Sequence, residues 1–140
     1  MTIDKFDGEH AFLSNFHPSP VLMDGEWFPT VEHAFQAAKT KDWSERRVVR
    51  LASTPGRAKR LGRRVSLRED WEQIKIEVME QLLRQKFLLG SELHLQLLAT
   101  SPAKLVEGNH WGDTFWGVCR GTGQNHLGKL LMKIRDEVAT

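Results

Sequence analysis

Cysteine is nearly absent: Cys119 is the only one in 140 residues. No internal disulfide can form, and a reducing, cytoplasmic setting is the expectation. Long apolar runs are missing as well. No stretch approaches the length of a membrane-spanning helix, and residues 1–12, which carry Asp4, Asp7 and Glu9, lack the layout of a secretory leader, so no membrane partner is expected. The histidines His10, His17, His33, His94, His110 and His126 make no HExxH or other ligand spacing, and a lone cysteine cannot build a CxxC site. Neither a metal nor any other cofactor is expected. Repeats, low-complexity tracts and Pro/Gly/Ser linkers are absent too, which predicts one domain over residues 1–140. A hydrophobic fraction of 40% and a charged fraction of 27% exclude a disordered or fibrous chain.

Charge is scarce in sum but uneven in place. The net charge of +2 does not demand a polyanionic partner. Residues 39–68, however, hold eleven Lys and Arg residues against only Asp42 and Glu45. This is either the solvated face of amphipathic helices or a surface that attracts phosphate.

The order of elements predicts a mostly helical α+β domain with a few short strands. Val21-Leu22-Met23 and Glu26-Trp27-Phe28 read as a hairpin, because Asp24-Gly25 accepts the positive backbone angles of a tight turn. Thr30 is placed to cap a helix over residues 31–41. Asp42 and Glu45 stand at capping-box spacing for a second helix, and Thr54-Pro55 opens a third that Gly62 can stop. Trp71, Ile74, Val78 and Leu82 recur at helical period within residues 70–89, the expected core helix. Ser91 caps the next helix, residues 104–107 read as a strand, and residues 108–128 read as an ordered loop. Asn125 is placed to cap a last helix bearing Leu127, Leu130, Leu131, Ile134 and Val138.

Three groups of residues can carry chemistry. In the helix over 31–41, Glu32, Gln36 and Lys39 stand at i, i+4 and i+7 and share one face, opposite Val31, Ala34, Phe35 and Ala38. They form either a solvent-facing charged row or the polar wall of a cavity. In a cavity the carboxylate can act as general acid or base and a desolvated lysine as a nucleophile. The loop from Asn109 to Asn125 is rich in glycine and leads into a helix N-terminus, where backbone N–H groups favour phosphate. Its Trp111 and Trp116 can stack on a flat base or pack on the core. Asp113 would complete a carboxylate pair with Glu32 for glycosidic chemistry. Near the start, Ser14 and Asn15 can hydrogen-bond a ligand under a ring such as Phe16, or Asn15 can simply cap a turn. Cys119 has no evident base partner.

Taken in order, Phe12-Leu13-Ser14-Asn15-Phe16, Pro29-Thr30-Val31-Glu32-His33-Ala34-Phe35-Gln36-Ala37-Ala38-Lys39, Gly62-Arg63, Trp71, Lys86-Phe87, Leu105-Val106-Glu107, Asp113, Trp116-Gly117 and Gly123-Gln124-Asn125-His126-Leu127-Gly128-Lys129-Leu130-Leu131-Met132 resemble the NADAR, or YbiA-like, family. The likeness runs over almost the whole chain. It implies an N-glycosidase acting on ribosylated amines, either phosphorylated early intermediates of riboflavin synthesis or ADP-ribose attached to guanine in DNA or RNA. It also implies Glu32, Lys39 and Asp113 as catalytic residues. Ser14, Asn15, Phe16, His33, Gln36, Arg63, Trp116, Gly117, Gly123 and Asn125 are implied to bind substrate. One stretch departs from the pattern: Val118-Cys119-Arg120 stands where relatives are often richer in glycine, and Arg120 can supply a charge-assisted phosphate contact there instead. Two other readings stand beside the enzyme: a non-catalytic module for ADP-ribose or a related nucleotide, and a nucleic-acid binder working through residues 39–68.

Overall fold

A computed structural model describes residues 1–137 of the chain. Its backbone forms two compact units, Asn15–Lys86 and Met1–Ser14 with Phe87–Thr140. Among the described residues there are six α-helices, one 3-10 helix and six strands of two or three residues. This is the α+β class, mostly helical, that the patterning predicts.

The continuous unit begins with strands β2 (Val21–Met23) and β3 (Glu26–Phe28), paired antiparallel with Leu22 opposite Trp27; β1 (Thr2–Ile3) belongs to the other unit. The turn is the predicted one. Asp24 and Gly25 both take positive φ, 50° and 82°, which the side-chain-free Gly25 adopts without steric cost. Helix α1 (Val31–Ala38) follows, with the Thr30 hydroxyl accepting the His33 N–H at 3.1 Å as cap. It stops three residues short of the predicted end, and Lys39 is its C-cap. Around it pack α2 (Trp43–Arg50), α3 (Pro55–Gly62) and α4 (Trp71–Lys86). Val31, Ala34, Phe35, Ala37, Ala38, Val49, Ala58, Trp71, Met79, Leu82 and Leu83 are buried in this unit. Phe35 and Trp71 meet with ring centroids 5.0 Å apart. Helix α4 ends at Lys86, before the predicted Leu89. On its surface the Gln85 amide exchanges two hydrogen bonds with the Leu22 backbone of β2, at 2.6 and 2.8 Å.

Two cap assignments need correction here. Asp42 does cap α2, accepting the N–H groups of Ser44 and Glu45, but Glu45 does not complete the box. Its carboxylate instead accepts the Thr40 hydroxyl at 2.8 Å and the Ser66 N–H at 3.0 Å, tying α2 to the segment after α3. Gly62 is the last residue of α3 and does not stop it through a positive φ. Three of the eleven basic residues have a structural employment as well. Arg46, buried, donates to Asp24 at 2.6 Å and to the Thr40 carbonyl at 2.7 Å; Arg50 pairs with Glu26 and Arg68 with Asp70.

The other unit joins strand β1 (Thr2–Ile3) to β4 (Lys104–Leu105) in parallel. A 3-10 helix, Gly8–Leu13, follows β1. Helix α5 (Glu92–Leu98) carries the predicted Ser91 cap. The predicted strand over 104–107 is shorter, and the loop of 108–128 contains a second parallel pair, β5 (Gly108–Asn109) with β6 (Val118–Cys119). Helix α6 (His126–Asp136) buries Leu127, Leu130, Leu131 and Ile134; Val138 lies outside the described residues. Asn125 sits at the N-cap of α6 but does not cap with its side chain. Its φ is 55°, and its amide bridges the Glu107 N–H and the Leu105 carbonyl, each at 3.0 Å.

Candidate active site

Helix α1 is buried on every side, because α2, α3 and α4 all pack against it. A solvent-facing charged row is therefore ruled out for Glu32 and Gln36, which are 7% and 5% exposed. Ala34, Ala37 and Ala38 make this possible, since small side chains let neighbouring helices approach a helix that still carries three polar groups. Burying such groups costs free energy unless they are paired. Gln36 Nε2 donates to Glu32 Oε1 at 3.3 Å, one turn apart. The Glu32 N–H donates to the Asn15 carbonyl at 3.1 Å, which fixes the start of the helix against the preceding segment.

At the far end of the same face, burial holds the Lys39 amine below its ordinary pKa. The nearby Glu32 opposes that shift, and the cations Arg63, Lys59 and Lys75 add to it. These groups stand close enough to Lys39 for their charge to be felt there. The structure thus brings together Asn15, Glu32, Gln36, Lys39 and Arg63 from the sequence-predicted set, all within the Asn15–Lys86 unit. Two acceptors in this group, Asn15 Oδ1 and Gln36 Oε1, are buried without a hydrogen bond among the described residues. Among the described residues Asn15 Nδ2 donates only to the Met79 sulfur, at 3.5 Å. An unpaired buried polar atom costs about 1–3 kcal/mol, so stability alone does not explain either of them.

His33 is differently employed. It is 2% exposed; Nε2 donates to the Ala52 carbonyl at 3.0 Å, and Nδ1 lies 2.8 Å from the Thr30 hydroxyl. A carbonyl only accepts, so Nε2 carries the hydrogen and ties α1 to the segment after α2, while Nδ1 is engaged with the Thr30 hydroxyl at the helix's own N-cap. Phe16 is exposed, with its ring edge near Gly56 at the start of α3. Gly62 was missed as a site residue because a glycine at a helix end reads as a terminator. In the structure it is a close-approach position: a Cβ added there would overlap Gln36 Oε1 and stand 2.8 Å from Gln36 Cδ.

The remaining predicted residues lie in the other unit, where packing accounts for much of what they do. Asp113 Oδ1 accepts the N–H groups of Phe115 at 3.1 Å and Trp116 at 2.9 Å, while Asn109 brackets the Asp113 backbone from both sides. Trp116 meets Phe115 edge-on at 4.9 Å, and Phe115 lies 4.4 Å from His126. Trp111 is exposed, so the core-packing reading fails for it. A Cβ on Gly117 would overlap the Glu107 carboxylate, and one on Gly123 the Gly117 carbonyl. Ser14 ends the 3-10 helix. Arg120 has a positive φ of 53° and an exposed side chain. Among the described residues no group of three His, Cys, Asp or Glu side chains could hold a metal ion, and no helix is long and apolar enough to cross a membrane.

Comparison with known proteins agrees over nearly the full length. The NMR structure of the Escherichia coli protein YbiA superposes with a TM-score of 0.84 at 42% identity, covering 97% of this chain and 82% of that one. The N-glycosidase YbiA of Escherichia coli strain K12 is 45% identical over 134 residues, 94% of this chain and 83% of its own. A riboflavin biosynthesis protein of Vibrio vulnificus is 40% identical over 135 residues, 94% of this chain but 36% of that longer protein. The class these matches define is a hydrolase of N-glycosyl bonds, which sets aside the reading as a non-catalytic binding module. The family model for the NADAR domain matches residues 3–139, and the chain belongs to that family.

Proposed function

We propose that this N-glycosidase separates ribose from an exocyclic amine in a phosphorylated ribosylamino-pyrimidine, with Lys39 as nucleophile and Glu32 as proton carrier. The observation that carries the reading is the desolvated Lys39 amine sharing one helix face with buried Glu32. The substrate class is supported by the relative named for riboflavin biosynthesis.

A ribosylamine opens by moving its N–H proton to the ring oxygen O4′, which leaves an imine at C1′. The neutral Lys39 amine adds to C1′, and Glu32 takes up the proton that the new C1′–N bond releases. Glu32 returns that proton to the base nitrogen and relays the second lysine N–H proton there in the same way, after which the old C1′–N bond breaks, the free base amine departs and a lysine–ribose imine remains. Water adds to the lysine–ribose imine and releases the sugar, restoring Lys39. The lowered lysine pKa is what this route needs, since an ammonium has no lone pair to give. In the same scheme the Asn15 Oδ1 acceptor receives a substrate hydroxyl or N–H, and Arg63 faces phosphate. Asp113, with one oxygen committed to two backbone N–H groups, is assigned to holding its loop.

Borohydride added during turnover is expected to fix sugar on the wild type and not on Lys39→Ala. Absence of any adduct, together with good activity in Lys39→Met, would favour direct hydrolysis through an oxocarbenium-like state with Lys39 acting only by its charge. A second substrate reading, ADP-ribosyl-guanine in nucleic acid, is favoured by the exposed Arg57, Arg60, Arg63 and Arg64 on and just after α3. Release of free base from both substrates, measured side by side across a salt series, separates the two. Activity on the nucleic-acid substrate that falls steeply with salt would support the second reading.

A further inference from the structure

We infer that Gln36 is a positioning residue for the Glu32 carboxylate, and that residue 62 is glycine so that Gln36 can hold that position. The inference rests on the reading of Glu32 as proton carrier. A wall residue of a binding cavity would turn its polar atoms toward the ligand, and Gln36 does the opposite. Its amide nitrogen points at Glu32 Oε1, 3.3 Å away, and its carbonyl faces the backbone of α3 at Gly62. That carbonyl accepts no hydrogen bond among the described residues. A side chain at residue 62 would occupy the space of Gln36 Oε1, so a ligand atom has no room beside it there either.

An amide buried with its acceptor unsatisfied is a poor choice for packing alone, where methionine or leucine fills the same space without a polar atom. What the amide adds is one N–H donor aimed at the carboxylate. A carboxylate only accepts, so the donor end of Gln36 must face Glu32, and Gly62 lets the oxygen lie opposite. A donor to an ionised carboxylate favours its charged form and limits its rotation. Both effects suit a group that must first receive the lysine proton and then deliver one to the departing amine.

The test compares kcat, KM and the pH profile of kcat for wild type, Gln36→Met, Gln36→Glu and Glu32→Gln, all as the full chain. Gln36→Met keeps the shape and removes the donor. Its kcat is expected to fall about ten- to a hundredfold, the rate equivalent of a hydrogen bond to a charged group, with KM nearly unchanged and the acidic limb of the profile displaced to higher pH. Gln36→Glu replaces the donor by a second carboxyl and should displace the limb further in the same direction. Gly62→Ala, if it folds, should lower kcat as Gln36→Met does, and the two should not add. A raised KM with kcat and limb untouched in Gln36→Met would mean that Gln36 contacts substrate, and would overturn the inference, as would wild-type behaviour in both Gln36 variants. Glu32→Gln separates the two levels: it should lose the acidic limb altogether. If that limb persists, the Glu32 assignment falls and takes this inference with it; if it vanishes while the Gln36 variants behave as wild type, only the inference falls.

Discussion

The two units use the same kinds of polar residue to opposite ends. In the loop of the Met1–Ser14 and Phe87–Thr140 unit, Asn109, Asp113 and Asn125 turn their side chains onto backbone groups, and the irregular chain is satisfied by them. In α1 the backbone satisfies itself as helix, and Glu32 and Gln36, with Lys39 at the C-cap, share a face turned inward, where Gln36 donates to Glu32. Asn15 beside them is left with an unmatched oxygen, and Lys39 with a depressed pKa. The lesson is physical. A polar side chain that completes a turn is explained by folding, whereas one buried on a regular helix without full pairing lowers stability and needs another reason to be there.

Disabling the helix face is the strongest way to test that contrast. Glu32→Gln and Lys39→Met should each reduce kcat by about 10²–10⁴-fold in an assay of base release, while the folded state survives in a chemical denaturation curve. Comparable activity loss from Asn109→Ala at unchanged stability would break the comparison.

The next effect is on stability against pH. Lys86, 3% exposed at the end of α4, is pushed by burial down to about 7, and it in turn contributes to lowering His17 after His17's own burial. Between pH 7 and the ordinary lysine value of 10.5 the unfolded chain holds the proton that folded Lys86 has given up. Stability should therefore rise with pH through that window. Lys39 acts with the same sign. Denaturation midpoints between pH 7 and 10 should climb in the wild type and flatten in Lys86→Met.

Asn125→Ala removes one buried and one part-buried hydrogen bond at a left-handed backbone position and should cost about 2–4 kcal/mol in denaturant titrations. The mildest change is Asp113→Asn, which keeps an acceptor for the Phe115 and Trp116 N–H groups. It should shift stability by about 1 kcal/mol or less and leave most activity. A hundredfold loss of kcat in Asp113→Asn would make Asp113 a member of the reaction and erase the distinction between loop and helix.

Much of this was legible before any coordinates. Thr30, Asp42, Thr54 and Ser91 act as caps because capping is local: the oxygen and the N–H it accepts are two or three residues apart. The Asp24-Gly25 turn follows from backbone angles that few residues tolerate. The misses were long-range. Glu45 left its capping box for Ser66, Asn125 left its helix for Glu107 and Leu105, and Gly62 proved to be a place where α3 meets Gln36.

The sequence by itself determined which residues lie on one face of α1, since a period of 3.6 residues follows from helix geometry alone. It also placed the chain in its family through motifs spread along its length. Only the tertiary structure decided whether that face meets water or protein. Packing by α2, α3 and α4 is what desolvates Lys39, and the closeness of Gly62 is what turns Gln36 toward Glu32. Burial depends on neighbours distant in the chain, and periodicity carries no information about them.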